Sequence, residues 1–521
     1  MRARQARPTK YEPMARPRRK RSKGLGWLCT RLLLIVFATL STLVVVTLSR
    51  AQGDAAAAAA APDDAAPLLR GARAGARAAA RAPADDVLVA GVIELLQRFI
   101  HDVHAAFAAH ERASKEAVWE AYVSEVEKTI APYERAHAGA NLMPVRAAGE
   151  IFVSVAAYRD HMLANTLHEI FANARDATKV VAGVVMQNCA AHCRTGVQVV
   201  SAPGAPVRTA VSDAPPDPDG VAEFCATPFG AGVCARGGVR LLRVNESESL
   251  GPAFARFLAS KLWAGEELFV QIDAHMWFVE NWDDQLRAEL RGTPSYPKSV
   301  LSVYPPGPDD QGNWKGGPSG RLCSSSFSKS PVESDILRLD QGGARPSNLP
   351  HAPYSVFVAA GFFAAHASFL ATAPYDPFLP FVFMGEELLL TARLWTNGWD
   401  VYSPRKNLCA HQYRPGKLGL PKFWETTART FGGRGNFNNE ISGLIIDRVK
   451  AIAGYPSLQG KDDLPVLAHV HDAEAPNYGL GLARSLEDFL EYAHIDMQAL
   501  QSSPVPWCVQ GDRPTKVYAT R

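Results

Sequence analysis

Apolar runs alternate with helix-like stretches between residues 151 and 272, and no other feature of the chain constrains its fold as much. Residues 151–157 read as a strand, 165–174 as a helix and 180–187 as a second strand. Strand, helix and strand within so short a span need a crossover, which points to parallel pairing. A third strand pattern covers 239–244. Gly251-Pro252 then opens a helix over 253–263, with proline at the favoured first position. That helix feeds a fourth apolar run, 268–272. The pattern predicts an α/β chain with an open sheet, whose ligands sit at the carboxyl ends of the strands.

The fourth run ends in Asp273-Ala274-His275, followed by Trp277 and Trp282-Asp283-Asp284. Two ligands for a hard metal, two positions apart at a strand end, can face one ion because the chain leaves the pleat there. Sugar-nucleotide chemistry uses such an arrangement, since a divalent cation neutralises the departing diphosphate. The bland alternative is a surface turn whose aspartate caps a helix. Ser154, Tyr158, Arg159 and Asp160 close the first strand and are expected on the same rim. Further on, Gly385-Glu386-Glu387 opens an apolar helix, where acids suit the positive dipole end. That reading and a catalytic one both stand on spacing. His411 is either a third ligand or a structural histidine.

The net charge of +3 is small, but residues 1–31 hold eleven Lys or Arg and a single acid, Glu12. A nucleic-acid arm would fit that head if the next segment did not oppose it. Residues 32–49 are eighteen positions without a charge, and at 1.5 Å each they reach about 27 Å, close to one hydrocarbon core. The basic flank puts the N-terminus in the cytosol. A cleaved signal peptide is the alternative, with an n-region about thirty residues long and no clear cleavage site. The expectation is therefore a type II signal anchor with the bulk of the chain in a secretory lumen and no nucleic-acid partner. Seven of the eight cysteines would be lumenal, where disulfides form, and an odd count leaves one free or paired between chains. Cys189, His192, Cys193, Cys225 and Cys234 can also be drawn as a zinc site, at spacings that match no tight zinc pattern. Asn245-Glu246-Ser247 is an acceptor for N-glycosylation.

Residues 50–85 are alanine-rich and lack the large apolar groups a core needs, so they read as a disordered stem. Residues 86–140 read as helical, with Val89, Val92, Ile93, Leu96, Ile100, Val103 and Phe107 at helical spacing. Their stripe packs on another helix or a partner, and a dimerising stem is one outcome. Residues 188–238 read as a long loop insertion and 305–350 as a mobile loop able to close on substrate. The glycine-rich 431–436 segment lacks the Lys-Ser/Thr pair of a phosphate loop.

Taken together, FVSVAAYRD, GVVMQ, ELFVQIDAHMWFVENWDDQL, FMGEELLLTARLWTNGWDVYSP and AHQYRP resemble the polypeptide N-acetylglucosaminyltransferases in order and spacing over roughly 150–415. One branch of that family modifies hydroxyproline on a cytosolic ubiquitin-ligase adaptor; the other starts mucin-type glycans on Thr or Ser in the Golgi. The resemblance implies a GT-A-like (Rossmann-like) open mixed sheet flanked by helices, and retaining transfer from UDP-N-acetylglucosamine (UDP-GlcNAc) to a polypeptide. By position it implies Asp273 and His275 on Mn2+ and the diphosphate, and His411 as third ligand, as in the distant mucin-initiating N-acetylgalactosaminyltransferases. Ser154, Tyr158, Arg159 and Asp160 would hold uridine, and Glu386 or Glu387 would meet sugar hydroxyls near donor and acceptor. The anchor favours the Golgi branch. The expected organisation is a cytosolic tail (1–31), anchor (32–49), stem (50–85), helical stem region (86–140), GT-A-like domain (150–415) and C-terminal extension (416–521). Rival readings are another UDP-sugar or a glycan acceptor, a non-catalytic lumenal sugar-binding protein, and a metal hydrolase.

Overall fold

The structure is a computed structural model that describes residues 83–518 apart from 146, 200–207, 310–311, 313, 330–334, 343–346, 414–422, 424–436, 462–463 and 471–477. The expected tail, anchor and alanine-rich stem lie outside the described residues. No helix among the described residues is long and apolar enough to cross a membrane.

In chain order the strands are β1 (Ala147–Tyr158), β2 (Val180–Asn188), β3 (Arg194–Val199), β4 (Arg208–Asp213), β5 (Val239–Asn245), β6 (Glu266–Asp273) and β7 (Met276–Phe278). They continue with β8 (Ser299–Ser302), β9 (Arg321–Phe327), β10 (Leu337–Gly342), β11 (Phe362–His366), β12 (Asp400–Tyr402) and β13 (Cys409–His411). The main sheet has seven strands in the order β12-β8-β11-β6-β1-β2-β5. β1 pairs parallel with both β2 and β6, setting Ala156 beside Asp273. β2 is buried along nearly its whole length, as a parallel strand covered on both faces must be. β11 runs antiparallel between β6 and β8, so the sheet is mixed.

Helices cover both faces. One core joins Leu163, Leu167, Phe171, Trp282 and Leu286 to the apolar side chains of β1 and β6. The other joins Phe152 and Phe269 to Phe254 and to the N-terminal helices. The helix Pro83–Ala109 spends its stripe here: Leu96, Phe99, Val103 and Phe107 are buried within the chain. The stripe therefore packs within the chain, against Phe254 and Phe381. The helical region belongs to one compact unit, Ala78–Arg521, together with the catalytic fold.

Two stretches read as loops carry structure. Within 188–238 lie the β3–β4 hairpin and the helices Gly220–Ala226 and Pro228–Ala235. Disulfides Cys189–Cys193 and Cys225–Cys234 cross-link this region and overturn the zinc reading. Within 305–350, β9 and β10 form an antiparallel pair. Neither stretch shows an apolar period in its Ser-, Gly- and Pro-rich sequence. A third disulfide, Cys323–Cys508, ties β9 to the C-terminal extension, and Cys409 is buried and free. The leftover cysteine is thus internal rather than available to a second chain. Cys508→Ser is expected to lower stability by about 2–5 kcal/mol, since the bond closes a loop of 185 residues. Urea unfolding under oxidising conditions checks this, and the same midpoint in both proteins refutes it.

Candidate active site

The rim of β1 and β6 gathers the chemistry. Asp273 is the last residue of β6, and His275 follows on the turn into β7. β7 pairs antiparallel with β13, which sets His411 opposite Met276, and the Gln412 amide donates to the His275 carbonyl at 3.1 Å. This short ladder closes a separation of more than a hundred residues. Ligand atoms of Asp273, His275 and His411 all lie within 4.8 Å of one another. A Cβ at Gly361 would stand 3.1 Å from Asp273 Oδ2, close enough to crowd that carboxylate.

The two imidazoles are held differently. His275 Nδ1 lies 2.6 Å from Asp160 Oδ2, and because a carboxylate only accepts, Nδ1 carries a proton, so in the neutral imidazole the lone pair is on Nε2. Burial lowers the His275 pKa, but the hydrogen bond and charge of Asp160 outweigh it and leave the value raised. His411 Nε2 stands 3.1 Å from Asp273 Oδ2 without hydrogen-bond alignment, and among the described residues neither of its buried ring nitrogens has a hydrogen-bond partner. Buried nitrogens without partners are costly unless something else ligates them. Two imidazoles and a carboxylate suit a divalent transition ion such as manganese or zinc.

Arg256, on the helix Pro252–Ser260, joins two acids. Its Nη2 donates to Asp273 Oδ1 at 2.9 Å and its Nη1 to Glu386 Oε2 at 2.5 Å. Sequence reasoning passed over Arg256, which sits in a helix with no motif around it. Burial alone would favour a neutral Asp273, but His411, Arg256 and His275 hold its pKa well below the carboxylate range. For Glu386 burial wins, and its pKa is raised despite Arg256. Glu386 starts the helix Glu386–Thr396 behind Gly385, whose φ of +92° is left-handed and favours glycine. Glu387 is also raised by burial; its carboxylate accepts from Tyr304 and from the Ala360 amide.

These groups line a cleft of about 420 Å³, which includes Arg256, Asp273, Glu386, Glu387, His411 and Tyr413. The expected uridine residues divide. Ser154 lies mid-strand beside Gly183 and Gln271 and is buried, so it is not on the rim. Arg159, at φ +50°, turns inward to pair with Asp217 through Nε at 2.7 Å and Nη2 at 3.0 Å. Both side chains are enclosed by protein. Asp160 orients His275 and caps Met162 N, a supporting role rather than an open one. Tyr158 donates to Glu246 Oε2 at 3.3 Å and is half-buried at the end of β1.

The profile of the family described as Glycosyltransferase (GlcNAc) matches residues 150–499. No curated protein matches the chain. Among solved structures, one similar to it is that of GalNAc-T7 with UDP, GalNAc and Mn2+, at 13% identity and a TM-score of 0.36. That likeness covers 66% of this chain and 56% of the other, so the chain spans little more than half of GalNAc-T7. S. aureus TarS 1-349 in complex with UDP-GlcNAc is similar at 12% identity and a TM-score of 0.31, over 61% of this chain and 78% of that one. Likenesses this remote carry over no residue roles.

Proposed function

The chain belongs to the Glycosyltransferase (GlcNAc) family, and on that premise we propose that it moves N-acetylglucosamine from UDP-GlcNAc to a Ser, Thr or hydroxyproline hydroxyl of a polypeptide, with retention of configuration. It is a UDP-sugar glycosyltransferase. The observation that carries the finer reading is the Asp273–His275–His411 cluster at the edge of the cleft, with the His411 ring nitrogens without a hydrogen-bond partner among the described residues. Asp273, His275 through Nε2, and His411 would hold a divalent cation such as Mn2+, which when bound neutralises the diphosphate leaving group.

The protein's own groups do the rest. Asp160 fixes the tautomer of His275. Arg256 keeps Asp273 ionised and oriented from behind. Glu386 lines the cleft and accepts a donor-sugar hydroxyl, while Tyr158 at the end of β1 borders the uridine side. Neither glutamate is assigned as a nucleophile: Arg256 engages Glu386, and both oxygens of Glu387 accept hydrogen bonds. In the proposed step the bond from C1 to the β-phosphate oxygen breaks and the acceptor oxygen bonds to C1 on the same face. The acceptor proton passes to the departing diphosphate. Positioning and charge stabilisation supply the rate.

A Golgi lumenal location behind a type II anchor is part of the proposal. Three disulfides support an oxidising compartment, and the charge-free run 32–49 supports the anchor. UDP release by the unit Ala78–Arg521, with Mn2+ and a panel of UDP-sugars, tests the reading. Release from UDP-GlcNAc that rises with Thr-rich or hydroxyproline peptides is the expected result, and the responding peptide identifies the acceptor. Preference for another UDP-sugar overturns the donor, and no release from a folded, Mn2+-binding protein overturns the transferase step.

A further inference from the structure

Glu386 and Glu387 adjoin in sequence but serve different partners. Glu387 Oε2 accepts from the Tyr304 hydroxyl at 2.5 Å, and Oε1 from the Ala360 amide at 2.8 Å. Tyr304 is held at both main-chain polar atoms by one side chain: its amide donates to Gln341 Oε1 at 2.7 Å, and Gln341 Nε2 donates to its carbonyl at 2.8 Å. The two residues that follow are prolines, whose fixed φ stiffens the segment. Their carbonyls reach β13 and its exit. The Tyr413 hydroxyl donates to Pro305 O at 2.7 Å, and the His411 amide donates to Pro306 O at 2.9 Å.

His275 has Asp160 to orient its ring through a hydrogen bond, whereas among the described residues the His411 ring nitrogens accept or donate none. Its placement therefore depends on its main chain, on the Asp273 carboxylate 3.1 Å from Nε2, and on the His275 and Tyr413 rings at 4.7 and 4.3 Å between centroids. We propose that Tyr304, fixed by Glu387 and Gln341, is the positioning residue that holds His411 in the divalent-cation site. Glu387 then acts on the site through Tyr304 and not on the donor sugar. The inference rests on the metal reading of Asp273, His275 and His411. Groups that orient a metal ligand are worth about 10- to 100-fold in metal affinity or activity.

The test measures Mn2+ binding to the full chain by the electron paramagnetic resonance signal of free Mn2+, without donor. Tyr304→Phe, which removes only the hydroxyl, is expected to weaken Mn2+ binding about tenfold. Excess Mn2+ should restore its kcat, and the KM for donor at saturating Mn2+ should match the wild type. Gln341→Ala, read in the same assay, should shift in the same direction and decides the matter if Tyr304→Phe does not fold. Wild-type Mn2+ affinity with a raised donor KM would show Glu387 and Tyr304 to be donor contacts and overturn the proposal. A wild-type protein that binds no Mn2+ fails the metal reading itself, and the positioning role falls with it.

Discussion

Asp273→Asn is expected to cut sugar transfer about a thousandfold while the protein stays folded. The substitution keeps the size of the side chain and removes its charge. Loss of several kcal/mol of leaving-group stabilisation corresponds to that factor, at tenfold per 1.36 kcal/mol. The pKa of Asp273 lies well below the carboxylate range, so the native residue is anionic across any practical assay pH. Treating the wild type with a chelator should leave a similar residual rate, and added Mn2+ should rescue the wild type but not the variant. UDP release, with circular dichroism as the folding control, reads both. Unchanged turnover in Asp273→Asn would sink the metal assignment.

Arg256→Met should damage stability and activity together. The guanidinium is buried and compensates Asp273 and Glu386 at once. Removing one partner of a buried ion pair leaves an uncompensated charge and costs about 3–5 kcal/mol. The loss should depend on pH. The folded-state pKa of Glu386 is already raised by burial, and without Arg256 it rises further. Stability linked to such a group is fully present below its unfolded pKa and is lost as pH rises through the folded pKa. Asp273 works from the other side: its depressed pKa contributes stability above the unfolded pKa, and the variant forfeits part of that. The Asp273 contribution is complete above the ordinary aspartate range, so between pH 5 and pH 8 it is the Glu386 effect that widens the gap from wild type. Urea unfolding at pH 5 and pH 8 should show the larger deficit at pH 8. A deficit that does not change with pH would mean that Arg256 serves packing rather than charge.

The parallel strands β1, β2, β5 and β6 were readable because their signals are local. Each apolar run reports its own burial, and the Pro252 helix start and the Asp-Ala-His strand end need no distant partner to be seen. The β9–β10 pair and the cross-linked 188–238 region were not readable, since β9 is mostly polar, the Leu337–Leu339 alternation of β10 is too short to stand out, and disulfide pairing has no sequence code. The burial of Ser154 and Arg159 was not readable for a related reason. A motif says which residues lie near a strand end but not which way each side chain turns, and Asp217 draws Arg159 inward.

Asp273 and His275 are set by the sequence alone, because two positions at one strand end are neighbours in any fold that keeps the strand. The third member of the cluster, the guanidinium behind it and the bond that orients His275 are tertiary. His411 arrives by the β7–β13 ladder, Arg256 by the packing of its helix beside β1, and Asp160 by the parallel pairing of β1 with β6. Ligand geometry and charge compensation act over a few ångströms, and chain order does not record which distant segments come that close.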